Sequence, residues 1–255
     1  MTIACERGVA LALRGPVAVL TVGTGARRNA MGIADWHCLQ TAARGLAERS
    51  TVRAVVLRGH GDVFCAGSDL REWDGACAEQ VDASFAQMEA ALVAVEGIGV
   101  PTVAVVQGAA TGAGCQLALA CDVQLIARSA RIGMPVAQLG ILLSAAFATR
   151  LTVRVGPARA KELLYSGRLL SAEDAAAVGL VTRVVDDGDL ETELHALLDV
   201  WRAQPTAALR AAKAAVNAGL TPLTEAAGRV PDSPSADRLE LARRVRAFLH
   251  RNDDG

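Results

Sequence analysis

The sequence predicts an α/β protein built on a mainly parallel sheet, with a helical layer at its C-terminal end. Short aliphatic runs alternate with helical patterns along most of the chain, as in parallel sheets whose strands are joined by helical crossovers. The hydrophobic share is 52% but the aromatic share is 3%, with 24 glycines, so the apolar mass consists of small and aliphatic side chains suited to helices packed closely on strands. At 255 residues the chain is long enough to bury a full core without disulfide staples or a structural metal.

The elements follow in order. Val17 to Val22 reads as a strand, and Ile33 to Arg49 as a helix with Trp36, Leu39, Ala43 and Leu46 on one face. Ala54 to Leu57 is a buried strand, the segment around Asp82 to Glu96 a helix, and Thr102 to Val106 a strand. Cys115 to Cys121 then reads as a helix and Val123 to Ala127 as another strand. Pro157 to Tyr165 is a helix with proline in its first turn, stopped by Gly167. Ser171 to Asp174 is a capped helix start, Gly179 its stop, and Leu180 to Val185 a strand. Helices over Asp189 to Trp201 and Thr206 to Ala218, a loop from Pro231 and a helix over Leu239 to Phe248 complete the chain. The expected division is a core over residues 1–200 and a C-terminal helical layer over 201–255.

Composition excludes several functions. With Lys+Arg 26 against Asp+Glu 27 the formal charge is −1, and the clustered cations and stacking rings of a nucleic-acid binder are missing. The six cysteines contain no C-x-x-C pair and the four histidines stand far apart, which predicts no metal site and simple thiols in a reducing compartment. Glu6 and Arg7 fall where a secretory apolar region would begin, so a cytoplasmic protein is expected. Gly97 to Cys121 has no charged residue and is long enough to span a bilayer. Its Pro101, Gln107, Gln116 and five glycines divide it instead into strand, glycine loop and helix, and Ile132 to Thr149 reads the same way, so no membrane contact is expected. Two uncharged stretches in a chain with a polar surface point to a buried site with apolar walls.

One device occurs twice: a buried strand runs into small residues and then a helix. The first instance is Phe64-Cys-Ala-Gly-Ser-Asp-Leu70 and the second is Gln107-Gly-Ala-Ala-Thr-Gly-Ala-Gly-Cys-Gln116. Glycine admits close ligand approach and unusual backbone angles, and a helix start offers free N–H groups with a partial positive charge. Two such ends converging would direct two donors at one oxygen, which is an oxyanion hole. A dinucleotide fingerprint does not fit, because Gly108, Gly112 and Gly114 have the wrong spacing, and Gly23-Thr-Gly25 would need a third glycine where Arg28 stands.

Six blocks, in order and spacing, resemble the crotonase (enoyl-CoA hydratase/isomerase) family. They are Arg28-Asn-Ala-Met31, Arg53 to Arg58, Phe64 to Leu70, Pro101 to Gly108, Gly112 to Asp122 and Ser171 to Val181. The resemblance covers roughly residues 14 to 218, and Val245 to Leu249 is similar to the family's final helix. It implies a ββα spiral core, a C-terminal helical trimerisation layer giving a homotrimer or dimer of trimers, and a coenzyme A thioester as substrate or ligand, with no separate cofactor. By position, it places the backbone amides of Ala66 and Ala113 on the thioester carbonyl. Arg28, Ala30, Ala66, Gly67, Ser68, Asp69 and Leu70 would line the coenzyme A path, with Arg27 and Arg71 adding positive charge.

The resemblance also marks departures. The two glutamates with which the family's hydratases handle protons fall on Gln116 and Val136, neither of which exchanges a proton at neutral pH. This argues against ordinary hydration while leaving thioester binding and enolate stabilisation intact, and a non-catalytic acyl-CoA binding or carrier protein is the alternative. After Gly140 the only polar side chain in Leu142 to Phe147 is Ser144, expected as a structural or pocket-lining hydroxyl. Glu72, Asp74 and His60 are the remaining candidates for a proton from another wall.

Overall fold

The computed structural model describes residues 2–5, 8–228 and 234–253. Glu6, Arg7 and the loop expected from Pro231 therefore lie outside the described residues in whole or in part. The order is β1 (Thr2–Cys5), β2 (Val9–Arg14), β3 (Val17–Val22), α1 (Ile33–Ala47), β4 (Ala54–Gly59), α2 (Ala78–Glu96) and β5 (Thr102–Val106). Then come β6 (Ala109–Thr111), α3 (Ala113–Leu119), β7 (Val123–Ala127), β8 (Arg131–Gly133), α4 (Ala145–Ser166), β9 (Leu170–Ser171) and α5 (Ala172–Ala177). The chain ends with β10 (Arg183–Val185), α6 (Leu190–Ala203), α7 (Thr206–Gly228) and α8 (Arg238–Asp253).

Seven strands form one sheet in the order β1-β2-β3-β4-β5-β7-β10. Pairing is parallel from β3 through β10, as the helical crossovers require. β1 and β2 add an antiparallel edge that the sequence reading did not anticipate. A smaller sheet, β6-β8-β9, stands beside it. Its strands have two or three residues each, too short to leave a periodic trace, so the expected glycine loop after β5 instead contains β6.

The core is continuous. Leu20, Val56 and Val105 from the main sheet meet Trp36 and Leu39 of α1, Met88 and Leu92 of α2, and Leu117 of α3. Interior β4 and β5 are buried almost throughout, which explains why they read as unbroken Val/Leu runs and not as alternating patterns. Thr102 and Asp122 tie β5 to the end of α3: the Asp122 carboxylate accepts from the Thr102 N–H and hydroxyl at 2.8 and 3.0 Å. Lys213 of α7 donates to the same carboxylate at 2.9 Å, anchoring a helix that is otherwise mostly exposed.

Helix limits shift for local reasons. The helix expected from Pro157 is the second half of α4, which begins at Ala145 and bends where Gly156 takes φ 76°, ψ 163° just before the proline. The N-cap of α4 is Ser144, whose hydroxyl accepts from the Phe147 N–H at 3.3 Å. Ser171 caps α5 as expected, accepting from the Asp174 N–H at 3.1 Å, and Gly167 and Gly179 end helices in the left-handed region. The strand expected over Leu180 to Val185 is confined to β10, and the expected division at residue 200 falls inside α6. No helix among the described residues is long and apolar enough to cross a membrane. Cys38 is disulfide-bonded, contrary to the expectation of simple thiols, while Cys65, Cys77, Cys115 and Cys121 are free.

Candidate active site

Between the segments 66–71 and 111–116 and under α8 lies a cavity of about 1000 Å³. The residues that the resemblance assigns to the thioester, the coenzyme A path and the glutamate positions line it: Arg28, Ala30, Ala66, Gly67, Ser68, Asp69, Leu70, Ala113, Gln116 and Val136. Two segments distant in sequence meet there because glycine lets them touch. A Cβ on Gly114 would stand 2.1 Å from the Cys65 carbonyl oxygen, and one on Gly67 would stand 2.7 Å from the Thr111 oxygen and 3.4 Å from the Ala113 nitrogen. Gly67 also has φ +102°, a conformation closed to most side chains.

The amides resolve which groups are free. Cys65 bridges β6, its N–H donating to the Ala109 carbonyl at 2.9 Å, so the next amide points the other way. That amide, of Ala66, donates to the Arg28 carbonyl at 3.0 Å. It is therefore not available to a thioester oxygen, which corrects the assignment made by position. Two residues on, Ser68 lies in a parallel bridge with Met31, in which the Met31 N–H donates to Gly67 and the Asp69 N–H to Met31. This pattern turns the Ser68 N–H away from Met31. Among the described residues neither it nor the Ala113 N–H, the first of α3, meets an acceptor.

The Arg28 carbonyl is held in place by an unusual turn. Arg27, Arg28 and Asn29 all have positive φ, at 49°, 53° and 59°. Such strain persists only where the surroundings over-determine it. Asn29 supplies that constraint: it is buried, accepts from the Gly25 N–H at 2.8 Å, and donates to the carbonyls of His60 and Val63 at 2.8 and 2.6 Å.

Charge and polarity divide the cavity. Its mouth carries Arg27, Arg28, Arg71, Arg168, Arg243 and Arg244, and Asp69 is the one carboxylate among the described lining residues. Asp69 is paired with Arg27 at 3.1 Å, whereas Arg28 and Arg71 have no acidic partner among the described residues. The inner wall is apolar, with Phe85 and Met88 of α2, Leu143 and Phe147. Gln116 is the polar exception: fully buried, with Oε1 accepting from Arg150 Nη1 at 2.9 Å and Nε2 donating to the Phe147 carbonyl at 3.2 Å. Burial depresses the Arg150 pKa, but hydrogen bonds and ion pairs with Glu96 and Glu89 outweigh that and hold it above its ordinary value. Cys65 and Cys115 beside the site are pushed up to about 12 by burial, so neither is a thiolate nucleophile near neutral pH.

The chain belongs to the enoyl-CoA hydratase/isomerase family. The family model of that description matches residues 14–236. The Mycobacterium bovis protein named "Probable enoyl-CoA hydratase echA8" is 35% identical over 202 residues, covering 79% of this chain and 77% of that one. Human mitochondrial methylglutaconyl-CoA hydratase is 32% identical, over 88% of this chain and 69% of its own. Among solved structures, an enoyl-CoA hydratase/carnitine racemase from Magnetospirillum magneticum superposes with a TM-score of 0.81 at 30% identity, covering 95% of this chain and 87% of that one.

Within this crotonase fold the other proton candidates are otherwise engaged. A Glu72 carboxylate oxygen accepts from the Ile33 N–H at 2.8 Å at the start of α1, Asp74 pairs with Arg246, and His60 lines a different cavity. Ser144 caps α4 and is not among the lining residues, so of its two expected roles it has the structural one. Sequence reasoning missed Arg150 with Glu89 and Glu96, and missed α8 as a roof. Arg150 had one available signal: a cation three residues from Phe147, on the face of α4 that turns inward.

Proposed function

We propose that this chain binds an acyl-CoA thioester and polarises its carbonyl with the main-chain amides of Ser68 and Ala113. The observation that carries the reading is that two unpartnered N–H groups, on segments in contact, open on one cavity whose mouth is cationic and whose interior is apolar. A polyanionic nucleotide suits the mouth and a hydrocarbon chain the interior. One such donor contributes roughly 3 to 4 kcal/mol when charge develops on the oxygen, so enolate-type chemistry draws support from the pair.

Hydration by the family's two-glutamate route does not fit. Gln116 and Val136 occupy the glutamate positions, and Asp69, the one lining carboxylate among the described residues, is tied to Arg27. The second reading, a non-catalytic acyl-CoA binding or carrier protein, is favoured by the same observation that both ends of the Gln116 amide are already hydrogen-bonded. We further propose a homotrimer or dimer of trimers assembled through α7, which leaves Val216 66% and Leu223 52% exposed. A light-scattering mass near 26.4 kDa would overturn that assembly.

Thermal melts with CoA and with butyryl-, octanoyl- and crotonyl-CoA test the binding. At about 100 times the dissociation constant a ligand adds roughly 2.7 kcal/mol of stability, and no shift with any thioester would end the acyl-CoA reading. Hydration of crotonyl-CoA separates the two readings of the bound state: turnover like that of an ordinary hydratase would exclude the carrier. Paired substitution, Gln116→Glu with Val136→Glu, is expected to raise any residual hydration.

A further inference from the structure

Gln116 is held from both ends, and that fixes what it presents to the cavity. Arg150 donates to its Oε1 at 2.9 Å, and Arg150 is itself held by Glu96 at 2.6 Å and Glu89 at 2.9 Å. With an obligate donor on Oε1 and the Phe147 carbonyl 3.2 Å from Nε2, the amide has one permitted orientation. Nε2 carries a second hydrogen. Its other contact is the Met134 sulfur at 2.8 Å, a weak acceptor on a flexible side chain that also lines the cavity. The cavity wall thus contains, at Gln116, an N–H donor whose acceptor is a weak one, which a ligand oxygen would improve on.

Position narrows the ligand. Gln116 follows Ala113 by three residues, so both face the same side of α3. A carbonyl received by the Ala113 amide and a second acceptor received by Gln116 therefore belong to nearby atoms of one chain, such as carbons one and three of an acyl group. Polarity narrows it again. Oε1 already accepts from Arg150, so the hydrogen that Gln116 has to spare is on Nε2, and donation is what it chiefly offers. A ketone oxygen only accepts and is fully served by a donor alone, whereas a hydroxyl must also place its own hydrogen, and the Phe85, Met88, Leu143 and Phe147 side chains of the inner wall carry no acceptor for it.

Resting on the acyl-CoA reading above, we propose that this site selects a 3-oxoacyl thioester, with Gln116 as the specificity-determining residue and Arg150 as the positioning residue that fixes its amide. Calorimetric affinities for CoA, butyryl-CoA, 3-hydroxybutyryl-CoA and 3-oxobutyryl-CoA test it at constant chain length. One neutral hydrogen bond to a buried donor predicts that 3-oxobutyryl-CoA binds about five- to tenfold more tightly than butyryl-CoA, with 3-hydroxybutyryl-CoA no better than butyryl-CoA. The 3-oxo to saturated ratio is expected to fall to about one in Gln116→Leu and in Arg150→Met, and to be restored in part by Arg150→Lys. A purely structural Arg150 would lower the melting temperature and leave that ratio unchanged. Equal affinity of the wild-type protein for the 3-oxo and saturated thioesters would overturn the proposal, without needing any variant to fold, and would leave the acyl-CoA reading standing. Failure of all four ligands to bind would remove the acyl-CoA reading and this one together.

Discussion

The two glycine-led junctions that frame the cavity arrive at the same result by different means. At residues 107–116 the chain leaves β5, passes through β6 and enters α3, and the donor is free because a helix's first amide has no carbonyl four residues behind it. At residues 64–70 no α-helix follows at once. The Phe64 and Cys65 amides donate to the Gln107 and Ala109 carbonyls, that of Ala66 to Arg28 and that of Gly67 to the Cys65 sulfur, and beyond the pairing of Cys65 with β6 the Ser68 amide, turned away from Met31, meets no acceptor among the described residues. One donor is released by a helix start and the other by the end of a ladder. A free amide is therefore a property of where pairing stops, and the small residues around it only permit the approach.

Substitutions at the two glycines break this comparison most severely. Gly114→Val would drive a branched side chain into the Cys65 carbonyl, where a Cβ alone stands 2.1 Å from the oxygen and 2.8 Å from the carbon. Overpacking of this kind costs about 3 kcal/mol or more, so the melting temperature is expected to drop by roughly 6 °C or more, or the chain to fail to accumulate. Gly67→Ala is milder, combining φ +102° with a 2.7 Å approach to the Thr111 oxygen. It is expected to cost about 1 to 3 kcal/mol. Because Ser68 is the next residue, acyl-CoA affinity should fall by more than the loss of stability alone explains, and a variant with full acyl-CoA affinity would place the donor elsewhere.

Asn29→Ala probes the ladder side alone. It removes one acceptor and two donated hydrogen bonds from a buried position and places alanine at φ 59°. A loss of about 2 to 3 kcal/mol in denaturant unfolding is expected. The strained turn presents the Arg28 carbonyl to Ala66, so its relaxation should also free the Ala66 amide, visible as faster hydrogen exchange there with Ala113 unaffected.

Much of this was legible before any coordinates. The strands β3, β4, β5 and β7 and the cavity-lining residues were readable because interior parallel strands leave uninterrupted aliphatic runs and glycines mark the close approaches. The choice between Ala66 and Ser68 was not readable. Both are small residues in one short segment, and only the carbonyl of Arg28, brought there by Asn29, decides which amide is engaged. The Gln116–Arg150 contact was hidden for a related reason: it joins α3 to α4 across 34 positions and depends on a helix that starts at Ser144, where the sequence shows a mixed apolar run and no strong periodicity.

The smallest predicted effect concerns the mouth, where the first junction extends into arginines and the second does not. Arg27 and Arg28 are adjacent and both exposed, yet Arg27 is paired with Asp69 at 3.1 Å while Arg28 has no acidic partner among the described residues. Charge already neutralised by a neighbour contributes little to an incoming phosphate, so Arg28→Ala should weaken CoA binding more than Arg27→Ala. Exposed ion pairs contribute about 0.2 to 1 kcal/mol, so the expected loss for Arg28→Ala is no more than about fivefold, and it should shrink as salt is raised. Because the arginine acts on the nucleotide and the amides on the thioester, the preference for butyryl-CoA over CoA should survive the substitution unchanged. A variant that lost that preference would mean that Arg28 acts through its carbonyl and the Ala66 segment, coupling the mouth to the ladder.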